Sequence, residues 1–114
     1  MTSHDLLARI AYNSGNFDQA LAEGALATKV QPANSELFEV PIRAAIQLHV
    51  WSQGEEIARE GMQAHETAHL HVLLALLYAA RGSRPEALAE LDRALLIAPG
   101  DAEATQLRRQ LTGG

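Results

Sequence analysis

The chain predicts an all-α solenoid, a superhelix of stacked helix-turn-helix pairs with about seven helices. Three observations predict it. A pattern occurs twice, 67 residues apart: Tyr12-Asn-Ser-Gly15-Asn-Phe-Asp-Gln-Ala20, then Ala27 and Pro32, and Tyr78-Ala-Ala-Arg-Gly82-Ser-Arg-Pro-Glu-Ala87, then Ala94 and Pro99. That offset is close to twice 34, so a further unit belongs between the copies. The composition is 47% hydrophobic but only 4% aromatic, with alanine and leucine prominent, which favours close helix packing over a β-sandwich.

The first unit opens with Leu6, Leu7, Ile10 and Ala11 as an apolar stripe at helical spacing. Ser14-Gly15 breaks that helix, and Asn16 with Gln19 three residues on can cap the next. Ala20, Leu21, Gly24 and Ala27 give the second helix a small-residue face, and Pro32 ends it. Adding 34 lands on the middle unit: Phe17 maps to Trp51, Ala20 to Gly54, Gly24 to Ala58 and Ala27 to Gly61. This unit is degenerate. His49 stands where Gly15 would, Glu66 where Pro32 would, and Pro41 is expected to bend or shorten its first helix. Ser52 with Glu55 offers a capping box about two residues late.

In the last copy Leu70, Leu73, Leu74, Leu77 and Tyr78 make the first helix and Gly82 ends it. Ser83 and Glu86 form the expected capping box around Pro85; Ala87, Leu88, Leu91, Ala94 and Leu95 pack, and Pro99-Gly100 terminates. Asp101 opens a final helix with Ala104, Leu107 and Leu111 on one face and charged or amide side chains elsewhere, which suits a terminal solvating helix.

These residues resemble the tetratricopeptide repeat family. The resemblance divides the chain into residues 1–34, a degenerate unit at 35–67, residues 68–101, and a capping helix and tail at 102–114. It implies a non-catalytic scaffold without cofactors that binds a peptide or protein segment in a concave groove. By register the groove takes Thr2, Asp5, Arg9, Tyr12 and Asn13 from the first unit. The second supplies Glu36, Glu39, Arg43, Ile46 and Gln47; the third supplies His69, Val72, Leu76, Ala79 and Ala80. Chaperone adaptors of this family hold a C-terminal carboxylate with a lysine/asparagine/arginine clamp. Here those positions carry Asp5, Arg9, Val40, His69 and Leu73, and only Arg9 could serve.

Two other classes compete. His65-Glu66-Thr67-Ala68-His69 spells the H-E-x-x-H zinc-peptidase motif, with His65 and His69 as ligands and Glu66 as general base. By register the motif straddles a turn, with Thr67 as a cap, so the histidines would not share a helix face. No glycine or proline interrupts Met62 to Arg81, however, so a continuous helix would restore the site. The expected alternative is His65 at a helix C-terminus and His65, His69 and His71 as separate surface histidines. The other class is self-association, with the degenerate unit or an exposed end face pairing with a second copy.

Charge and composition exclude more than they select. A net charge of −5 with no basic run argues against nucleic acid. Zero cysteines removes disulfides and thiolate chemistry. Leu70 to Ala80 is too short to span a bilayer. With Asp5 interrupting a polar Met1 to Arg9, the expectation is a soluble cytoplasmic protein without a secretory leader.

Overall fold

The computed structural model describes residues 3–113. Thr2 of the expected groove and Gly114 of the tail lie outside them. Among the described residues there are seven α-helices and no strand: α1 (His4–Asn13), α2 (Phe17–Val30), α3 (Glu39–Leu48), α4 (Trp51–Ala64), α5 (Ala68–Arg81), α6 (Arg84–Ile97) and α7 (Ala102–Thr112). Each helix packs on the next, and α1, α3 and α5 also meet across the pairs. The result is a slab of 44 × 25 × 22 Å with its core between successive pairs.

One turn is built three times. The Asn16 N–H donates to the Ala11 carbonyl at 2.8 Å, Val50 to Ala45 at 3.0 Å and Ser83 to Tyr78 at 2.8 Å. This bond satisfies a carbonyl that a helix end otherwise leaves orphaned, and it needs a left-handed residue just before the donor. Gly15 (φ 82°) and Gly82 (φ 91°) supply it, and in the middle unit His49 does so at φ 59°. His49 is the one non-glycine residue with positive φ among the described residues. Its ring stacks on Trp51 with centroids 5.0 Å apart, which helps hold the strained backbone. Replacing His49 by valine should cost about 1–2 kcal/mol, because a β-branched side chain fits the left-handed region worst. Replacement by glycine should cost nothing or stabilise by up to about 1 kcal/mol, and urea unfolding of the pair reads the difference.

The caps follow local chemistry with two exceptions. Side-chain oxygens of Asn16, Thr67 and Asp101 accept from the N–H groups of Gln19, Leu70 and Ala104. Ser83 occupies the cap position of α6 with Pro85 in the first turn, but its hydroxyl makes no cap bond. Arg81 Nε donates to that hydroxyl at 3.1 Å instead, so the expected box with Glu86 does not form. Ser52 and Glu55 form no box either. The turn at His49 sends the chain into α4 at Trp51, where the 34-residue register places it, so Ser52 already lies inside the helix.

Pro41, expected inside its helix, stands in the first turn of α3, which has ten residues, as α1 has. A 3-10 turn at Ser35–Phe38 precedes α3, and Pro41 is only the third residue of the α-helix. Its missing N–H is one of those that a first turn leaves unbonded, so no helix bond is lost. The buried ring lies directly against Gly24 of α2; a Cβ there would come within 2.8 Å of Pro41 Cβ and Cδ.

The expected α1 stripe is half corrected. Ala8 and Ala11 are buried, whereas Leu6 and Ile10 face solvent. α1 is the edge of the stack, so its outward flank has no neighbouring pair to cover it.

Candidate functional site

Facing residues of α1, α3, α5 and α7 line three adjoining depressions on one side of the slab. The largest, about 540 Å³, is bounded by Arg9, Tyr12 and Asn13 of α1, Glu39, Val40 and Arg43 of α3, His69 of α5, and Glu36 and Glu103. The second runs from Arg43 past Val72 and Leu76 to α7, and the third holds Tyr12, Arg43, Ile46, Gln47, Leu76 and Ala80. Of the fourteen expected groove residues that are described, all but Asp5 and Ala79 therefore line these adjoining depressions. Asp5 lines a separate hollow with His4 and Val30, but its carboxylate pairs with Arg9 at 3.2 Å.

The ion pairs grade this surface. Glu39 accepts from His69 Nε2 at 3.1 Å and lies 3.6 Å from Arg43 Nε, too long for a hydrogen bond. Arg43 Nε is buried with no hydrogen-bond partner, and Arg43 borders all three depressions. Glu36 and Glu103 form no ion pair among the described residues. The α1 and α3 end is thus charged in both signs, and the α5 end is apolar at the half-buried Leu76, with the buried Val72 beneath it.

Sequence reasoning missed the α7 wall. Glu103, Gln106, Leu107 and Gln110 line the groove, although α7 reads as a solvating helix. The signal was present: adding 67 to Glu36, Glu39, Val40 and Arg43 gives those four positions. α7 is the first helix of one more unit, and it continues the concave face.

The zinc-peptidase geometry is not assembled. α4 ends at Ala64, His65 is extended at φ −165°, and α5 starts only after Thr67. The two histidines therefore do not share a helix. Among the described residues no group of three or more histidine, aspartate or glutamate side chains is placed to hold a metal ion. His65 does sit at the C-terminus of α4. The expected set of three surface histidines is wrong for His71, which is buried and pairs with two carboxylates, and His69 bonds Glu39. Tyr78, packed between units, has its phenol held above the usual tyrosine range, first by burial and then by the nearby Glu55 carboxylate. No described helix is long and apolar enough to cross a membrane.

A family model described as "Tetratricopeptide repeat" matches residues 1–23 and 68–93. No curated protein matches the sequence. Among solved structures, the Arabidopsis OM64 TPR domain superposes with a TM-score of 0.76 at 18% identity, covering 96% of this chain and 92% of that one. The first TPR domain of the human RPAP3 protein gives 0.81 at 17%, covering 96% and 87%. The second TPR domain of the same human protein, in complex with an HSP70 peptide, gives 0.79 at 14%, covering 96% and 92%. Its fold is that of a tetratricopeptide array, and the family model matches the first and third units.

Proposed function

We propose that this tetratricopeptide array is a non-catalytic scaffold that holds an extended or helical segment of a partner protein along the α1–α3–α5–α7 face. The carrying observation is the continuity of that face. Four helices, each from a different unit, contribute side chains to adjoining depressions that all meet at Arg43. Charged and amide groups at one end and the half-buried Leu76 and Ile46 at the other suit a segment with a polar stretch and one apolar anchor.

An HSP70-type acidic tail is not the expected ligand. Of the positions that clamp such a tail in the chaperone adaptors of this family, only Arg9 is a standing cation, and Asp5 already pairs with it. Leu73 is buried in the core, so it offers no contact.

Peptides selected from a random library on the intact chain should lose at least about tenfold in affinity on Leu76→Asp or Arg9→Glu, with helical circular dichroism unchanged. Selected peptides that bind both variants as tightly as the wild type would place the site elsewhere.

A further inference from the structure

We propose that the outer face of α1 and α2 is a self-complementary surface on which a second copy of this chain docks, related by a two-fold axis. An apolar pair four residues apart recurs through the chain: Leu6/Ile10, Val40/Ala44, Leu73/Leu77 and Leu107/Leu111. In the last three, the pair packs against the core with the preceding helices beside it. Leu73 and Leu77 are 1% and 0% exposed, and Leu77 lies against Gly54 of α4. Leu6 and Ile10, in the same register, are 49% and 53% exposed. The surface that receives a neighbour everywhere else in the array is open here. Leu26 and Val30 of α2 are exposed as well, so four of the six exposed large hydrophobics among the described residues belong to the first helix pair.

The opposite end of the array is the poorer receiver. α7 half-buries Leu107 and Leu111 and exposes Arg108 and Arg109, and the exposed Leu96 and Ile97 lie on α6 rather than on the last helix. Head-to-tail stacking would set Leu6 and Ile10 on charge, so an open filament is disfavoured and a face-to-face pair remains.

The charges on α2 select that pair. Asp18, Ala22, Ala25 and Lys29 fall on one line of the helix, at steps of four, three and four residues. Neither Asp18 nor Lys29 forms an ion pair among the described residues. When two α2 helices cross antiparallel at the middle of this line, Asp18 of each copy comes opposite Lys29 of the other. Ala22 then meets Ala25 across the axis, where short side chains let the helices approach, and Leu26 closes the flank towards Leu6 and Ile10.

Sedimentation velocity of the full chain between about 5 and 200 μM, across the range of weak interfaces, should show a monomer–dimer equilibrium. Leu26→Glu, a surface change that leaves the core intact, should weaken it about 30-fold or more. Asp18→Lys should weaken it about tenfold, and adding Lys29→Asp should restore most of the loss. Carbodiimide should join Lys29 to Asp18 only between copies, since the two lie about 16 Å apart along one helix. A monomer at every concentration overturns the proposal. So does a dimer indifferent to Leu26→Glu, or a double swap no better than the single one.

Discussion

Replacing Phe38 with alanine should remove about 3–5 kcal/mol of unfolding free energy, close to the largest loss a single core residue can give. Phe38 is among the largest fully buried side chains. It belongs to the 3-10 turn, which meets α2, α3, α4 and α5. On α4 it presses against backbone: a Cβ placed on Gly61 would lie 2.8 Å from its Cε2 and 2.9 Å from its Cζ. Little can move in to fill the vacancy, because the surrounding residues are already held by helices that carry their own contacts. A domain of this size has about 5–15 kcal/mol in total, so the variant should be marginal at 37 °C. The Gly61 contact gives an internal control. Gly61→Ala alone should cost about 1–3 kcal/mol by overpacking, more than the helix propensity of alanine returns. Combined with Phe38→Leu it should cost less than the two singles summed, because the shorter side chain vacates the space. A loss below about 1.5 kcal/mol for Phe38→Ala would show that the junction collapses around the gap.

The parts of this fold that sequence made legible are those governed by local rules. Gly15 and Gly82 mark turns because few other residues take that backbone, and Asn16, Thr67 and Asp101 cap because their acceptors sit next to the helix they start. Where a local rule competes with another constraint, the reading slips. Ser83 looks like a cap, but Arg81 two residues away claims its hydroxyl. Ser52 and Glu55 look like a box, but the repeat register starts the helix earlier through a histidine doing the work of a glycine. Periodicity also shows that a face asks for cover without showing what covers it, which is why Leu6 and Ile10 read as core. The groove was legible as far as the repeat register was followed. It stopped one unit short, at α7, because polarity there was taken as the mark of an outer face. His71 was illegible for another reason. Its partners Glu66 and Glu90 lie in the preceding turn and across the helix pair, where no periodic pattern points.

His71→Leu should destabilise the protein by about 3 kcal/mol even though it conserves volume in an apolar helix. The ring is buried in α5 between two carboxylates: Nδ1 is 2.7 Å from Glu90 Oε1 and Nε2 is 2.6 Å from Glu66 Oε2. Each ring nitrogen lies at hydrogen-bond distance from a carboxylate oxygen, so both ends of the imidazole are matched to an acceptor. It ties together the 65–67 turn, α5 and α6, the junction that lacks a terminating proline. The two ends are unequal. Glu66 is exposed on most of its side chain, so Glu66→Ala should cost less than about 1 kcal/mol. Glu90 is nearly enclosed, and without His71 it keeps only the exposed Arg93, 3.1 Å from its other oxygen. The cost of His71→Leu is therefore mainly that of a stranded carboxylate. Removing that charge too should recover most of the loss, so His71→Leu/Glu90→Leu should be more stable than His71→Leu alone. Urea unfolding of the four proteins decides it. If the double variant is less stable than His71→Leu, the ring contributes through packing and the ion pair is incidental.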